Sequence, residues 1–171
     1  AKKQLDAFAA FSKATQATLA RHGEEQVIAL ADSLPRGYSD VVTSRLELAQ
    51  KRLAAIAALE AALATDSDSE LASAFRQLES LQATALADRS AHDRIQTAVK
   101  REAVLATLRQ LPTTYAPSQA PQWDKKLLAA WDDKLLEGCR DAAAWRPAYE
   151  EAGRRQTLLK KLTDAIAKGD T

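Results

Sequence analysis

From Leu46 onward the chain places apolar residues at Leu46, Ala49, Leu53, Ile56, Leu59 and Leu63, in steps of three and four. That spacing gathers them into one stripe on a helix, with Glu47, Gln50, Lys51 and Glu60 mostly off it. The same periodicity runs through most of the chain and is seldom broken, because only five glycines and five prolines are present. It predicts a first helix over Lys2–Arg21 ending near Gly23, then a shorter one over Glu24–Leu34 stopped by Pro35 and Gly37. Ser39 is suited to cap a long helix running to about Ala64, its hydroxyl accepting from N–H groups of the first turn. Ser67 with Glu70 fits a capping box for a short helix to about Gln82, and a long helix follows over Ala87–Leu111. Pro112–Pro121 reads as the longest linker. Pro121 suits the first turn of a short helix to about Glu137, with Gly138 as its stop. The last helix, Trp145–Lys168, tolerates Pro147 in its first turn. Val41-Val42 is too short for a strand and sits in a helical frame. The expected fold is all-α, with about seven helices alternating long and short.

Three of the long helices can be laid over one another without gaps. Each carries a small residue and a basic pair: Ala49-Gln50-Lys51-Arg52, Ala98-Val99-Lys100-Arg101 and Ala152-Gly153-Arg154-Arg155. Six residues before the last arginine stand Leu46, Ile95 and Tyr149; four after it stand Ile56, Leu105 and Leu159; seven after it, Leu59, Leu108 and Leu162. The arginines lie 49 and then 54 residues apart, the extra five falling with the proline linker, and Lys2-Lys3 stands 49 residues before Lys51-Arg52. Among the short helices, Leu71 to Phe75 resembles Leu127 to Trp131. Alanine-rich amphipathic helices also align by coincidence, but a fixed period is the mark of stacked units that cannot bury an apolar face alone. The expectation is a single helical-repeat segment over 1–171, a solenoid-like array with units near 2–51, 52–100 and 101–154 and a partial one at 155–171. The unit of about 50 residues is longer than a tetratricopeptide and lacks its Trp, Gly and Pro pattern, and it lies above armadillo and HEAT lengths, so it names no family. A start inside a long helix, a stop at Gly169-Asp170 and a chain without methionine suggest an excerpt of a longer protein.

Composition narrows this picture. Apolar residues make up 46% of the chain, but roughly a fifth of all positions are alanine and only 5% are aromatic. Alanine favours helix and lets helices approach closely, so thin helical layers are what the chain can bury. Twenty-four basic residues against 23 acidic ones give none of the basic excess usual for nucleic-acid binding. Cys139 is the one cysteine, so no intrachain disulfide forms, and a reducing, cytoplasmic compartment fits. The most apolar stretch, Leu53 to Ala64, is broken by Glu60 and falls short of the ~20 residues of a membrane span.

Candidate chemistry is sparse. His22 and His92 are isolated and read as solvated surface residues; Cys139 has no CxxC partner and reads as a semi-buried thiol. Asp132-Asp133 and Glu150-Glu151 read as solvated faces, and no phosphate loop, nucleophile elbow or HExxH occurs. No catalytic residue, metal or cofactor is expected. The candidate partner-binding residues are Lys51, Arg52, Lys100, Arg101, Arg154 and Arg155, with Trp123 and Trp131. In stacked units one basic residue of each pair would recur about every 10 Å, forming a ladder for an acidic segment or phosphate backbone. The plainer expectation is that these stems cover apolar surface and pair with acids of the adjacent unit. Trp123 and Trp131 echo each other eight residues apart; at about 80° of separation on a helix, one is expected to stay partly exposed. Tryptophans are common binding hot spots, although at helical spacing they more often pack in a core. The functional expectation is a non-catalytic scaffold or protein-protein interaction region, with a catalytic or signalling domain elsewhere in the full chain. The alternatives are nucleic-acid or acidic-ligand binding by the basic ladder, and a small-molecule-binding bundle. A membrane role is not expected.

Overall fold

A computed structural model of the chain describes residues 2–16, 20–32, 34, 40–112 and 117–168. Among these residues the structure is all helical, with eight α-helices, short 3-10 turns and no strand. The helices are α1 (Lys2–Gln16), α2 (Arg21–Asp32), α3 (Asp40–Leu63), α4 (Asp68–Ser80), α5 (His92–Arg109), α6 (Ala120–Ala130), α7 (Asp133–Leu136) and α8 (Arg146–Lys168). Among the described residues no helix is long and apolar enough to cross a membrane.

Several boundaries differ from the sequence expectation for local reasons. The first break falls before α2, so Gly23 lies in the opening turn of α2, where the Glu24 N–H bonds the Ala20 carbonyl. Glycine is cheap there, since the first-turn N–H groups have no intrahelical partners to lose. The Pro35–Gly37 stop and the Ser39 cap lie outside the described residues. Helix α5 begins at His92 rather than Ala87, because 3-10 turns occupy Thr84–Leu86 and Arg89–Ala91 and the Asp88 carboxylate takes the Ser90 N–H. The expected helix to Glu137 is two pieces. Trp131 ends α6 in extended backbone (φ −78°, ψ 130°), and the Asp132 carboxylate restarts the chain as α7 by accepting the Leu135 N–H.

By contact the chain divides into two compact units, Ala1–Asp66 with Glu70–Ile95, and Ser67–Ser69 with Gln96–Thr171. In the first unit α2 packs on α1 and on α3. Phe11, Val27 and Ala49 meet there, flanked by Ile28, Leu30 and Val42. Farther along, Ile56, Leu59, Leu71 and Leu78 are buried. Helix α4 closes on Gln82 in the left-handed region (φ 51°), with the Ala83 N–H reaching back to the Leu78 carbonyl. A non-glycine residue rarely takes that conformation, and no glycine signals the turn.

In the second unit α6 packs along α8. Its core joins Leu105 and Leu108 of α5 to Trp123, Leu127, Trp131 and Leu136, with Cys139, Ala142 and Ala152. Gly138 turns the chain after α7 at φ 67°, which fits the expected stop and favours glycine, since a Cβ makes this conformation costly. The Trp123 indole donates to the Pro112 carbonyl at 2.9 Å. Trp123 and Trp131 are both buried, against the expectation that one of the two stays partly exposed. The 80° separation does not apply, because the helix ends before Trp131.

Candidate functional site

Each arginine of the shared register meets a buried carboxylate carried by an earlier helix. In the first unit Glu24 of α2 accepts Arg45 Nη1 at 2.6 Å and Arg52 Nη1 at 2.9 Å. The Nε and Nη2 edge of Arg52 donates to the Leu81 carbonyl at 3.1 and 3.0 Å, one residue before the left-handed Gln82. Burial alone would raise the Glu24 pKa; the Arg45 and Arg52 hydrogen bonds and charges outweigh it and hold the carboxyl below its usual value.

In the second unit Arg101 repeats the arrangement. Its Nη1 donates to Asp68 Oδ2 at 2.9 Å, Nε to the Leu135 carbonyl at 2.6 Å and Nη2 to the Glu137 carbonyl at 2.6 Å. Again one accepting carbonyl precedes a left-handed residue, here Gly138. Asp141 accepts the Ser69 N–H at the start of α4, and Ser69 Oγ donates to Glu102, which is also held by Arg109 at 2.6 Å. Burial raises the Cys139 thiol pKa and the neighbouring Asp68 carboxylate adds to the rise, while the Ala142 N–H opposes it; the thiol is thus a poor nucleophile.

Arg155 uses the same carboxylate partner differently. Its Nε and Nη2 form a bidentate pair with Asp124 of α6, at 2.8 and 2.6 Å, while Nη1 reaches Glu151 at 3.4 Å. The Nε/Nη2 edge that holds backbone carbonyls at Arg52 and Arg101 is here on the acid. The side chain is also 33% exposed, against 13% for Arg52 and 17% for Arg101.

Beside this pair runs an apolar groove of about 340 Å³, lined by Ala120, Pro121, Asp124, Arg155, Leu158, Leu159 and Leu162. Leu158, Leu159, Leu162 and Ile166 of α8 are its exposed wall and that wall's extension. The register makes the contrast sharp. Four and seven residues after the arginine, Leu105 and Leu108 are 1% and 0% exposed, whereas Leu159 and Leu162 are 44% and 64% exposed. Three residues before it, Ala49, Ala98 and Ala152 are all fully buried. The helices are alike up to the arginine and part company after it.

The structure divides the basic pairs between solvent and interior. Lys51, Lys100 and Arg154 are exposed, Arg154 bonding Glu151 at 2.7 Å, while Arg52, Arg101 and Arg155 turn to the buried acids. Trp123 and Trp131 belong to the core of the second unit. Trp131 stacks on Tyr149 at 4.6 Å, lies under Arg146, and shares Asp133 with the Tyr149 hydroxyl. Those hydrogen bonds, Tyr149 first and Trp131 second, hold the Asp133 pKa below its usual value. The acidic pairs thus include a helix cap and ion-pair partners rather than only solvated faces. His22 and His92 are exposed, and among the described residues no group of three or more His, Cys, Asp and Glu is placed to hold a metal ion.

Sequence reasoning missed the acids Glu24, Asp68 and Asp124 and the groove leucines as a site. The leucines were visible in the register, but nothing in a linear pattern marks an apolar position as uncovered. Comparison with protein-family models, curated proteins and solved structures finds no match to this chain.

Proposed function

We propose that this chain is a non-catalytic helical-repeat scaffold that binds another protein along the α6–α8 groove. The observation that carries the reading is the run Leu158, Leu159, Leu162 and Ile166, four large apolar side chains exposed together on one helix. Single exposed leucines are ordinary; a contiguous apolar wall over a groove marks an interaction surface. Support for the repeat comes from Arg52 and Arg101, which tie a buried acid to one carbonyl and to two carbonyls, respectively, at the end of a later short helix. For the basic-ladder alternative, Arg52, Arg101 and Arg155 are committed to carboxylates inside their own units, which leaves Lys51, Lys100 and Arg154 as the exposed basic residues. The test is selection from a displayed library of 16-residue peptides against the whole chain. Enriched sequences that lose binding to the Leu159→Asp/Leu162→Asp variant support the reading. Failure to enrich any sequence sensitive to that variant overturns it.

A further inference from the structure

We infer that the distal half of α8, residues 157–168, is a helix–coil gate: it unwinds while the rest of the second unit stays folded, and the groove exists only in its helical state. This deepens the interaction reading above by adding a state in which the proposed site is absent. Up to Gln156 the helix is tied to its surroundings. Ala152 is fully buried, Arg155 lies on Asp124 at 2.6 Å, and Gln156 Nε2 donates to the Pro121 carbonyl at 3.5 Å. From Thr157 onward every residue except Ala165 is exposed. Among the described residues, no ion pair or side-chain hydrogen bond carries this stretch to another element. Its two hydroxyls stay on the helix itself, Thr157 donating to the Gly153 carbonyl and Thr163 to the Leu159 carbonyl, both at 2.9 Å.

Packing adds little to this stretch. Leu159 keeps about half of its surface covered, while Leu162 and Ile166 are 64% and 66% exposed. The packed half supplies the helix nucleus, so unwinding from Lys168 inward gives up one bond for each residue freed, a step close to balanced in water. The last four carbonyls have no helical partner to lose. On α5 the same register positions, Leu105 and Leu108, are buried in a core, so unwinding there would expose it. The consequence for the groove is geometric. Leu158, Leu159, Leu162 and Ile166 fall within about 100° of one another around a helix, and only that winding lines them up as a wall. In the coil the wall disperses, and affinity for any occupant falls in proportion to the helical fraction.

Amide hydrogen exchange of the whole chain, resolved by residue and without any ligand, tests the gate. Exchange over 162–168 is expected within about tenfold of the rate of an unstructured chain, and over 150–156 at least about a hundredfold slower than that rate. Two alanine substitutions locate the opening. Thr163→Ala raises helix propensity inside the segment and should slow exchange over 158–163 about threefold. Gly153→Ala adds a Cβ that meets open space but precedes the segment, and should leave exchange over 158–163 unchanged. Protection over 162–168 equal to that over 150–156 overturns the inference, as does an equal response of 158–163 to both substitutions. Thr163→Pro breaks the helix between Leu162 and Ile166 and should leave the urea midpoint of the chain unchanged; a clear drop would show the segment to be part of the folded unit and overturn the gate too. If the expected exchange pattern appears while no library peptide is enriched, the gate stands and the interaction reading falls. If peptides are enriched while the segment is fully protected, the interaction reading stands and the gate is wrong.

Discussion

The downstream halves of α5 and α8 follow one plan and meet different surroundings. Both set an arginine on a buried aspartate and continue with leucines four and seven residues later. On α5 those leucines are the floor of a core; on α8 the equivalent pair faces solvent beside a groove. Helix formation alone therefore does not bury an amphipathic face. A stripe is an offer of surface, and its energetic value depends on whether another element takes it. Arg101 and Arg155 differ in the same sense: one is clamped between an acid and two carbonyls, the other lies bidentate on its acid with a third of its side chain in water.

This contrast can be broken most severely at the acids. Asp68→Ala leaves the half-buried Arg101 beside an empty carboxylate position and is expected to lower unfolding free energy by about 3 kcal/mol. Asp124→Ala removes the bidentate partner of a guanidinium that water and Glu151 can still reach, and about 1–2 kcal/mol is expected. Urea denaturation of the two variants checks the pair, and equal losses would erase the distinction between the two arginines. Next come the leucines at one register position. Leu108→Ala should cost about 2–5 kcal/mol through lost burial and a cavity, whereas Leu162→Ala should stay within about 0.5 kcal/mol. A comparable loss at Leu162 would mean that its face is covered in solution.

The smallest effect is read through pH in the first unit. Glu24 has a folded pKa held below its ordinary value of 4.5 by Arg45 and Arg52 against the opposing effect of burial. Its contribution is thus complete above about 4.5 and is lost as pH falls through the lower folded value. Urea midpoints for the native chain and Glu24→Gln between pH 3 and 6 should converge toward acid. Parallel lines would show that the triad does not couple ionisation to folding.

Much of the architecture was legible because its causes are local. The steps of three and four from Leu46, the first-turn prolines Pro121 and Pro147 and the left-handed Gly138 act within a turn or two of themselves. Boundaries failed where a side chain outcompeted the helix, at Asp88 and Asp132, each of which captures a nearby N–H group. The turn at Gln82 carried no glycine to announce it. The shared arginine register was also visible, but not its partners, which lie 28, 33 and 31 residues upstream on other helices.

The sequence by itself determined that this chain is helical and where Arg52, Arg101 and Arg155 stand relative to the leucines that follow them. Helical periodicity and turn chemistry operate between near neighbours, so a linear reading recovers them. Only the tertiary structure decided that Glu24, Asp68 and Asp124 receive those arginines, that Trp123 and Trp131 are buried, and that Leu159 and Leu162 are exposed while Leu105 and Leu108 are buried. Burial and ion pairing depend on surfaces brought together from distant parts of the chain. Two stretches with the same local pattern can thus end as a core and as an open groove.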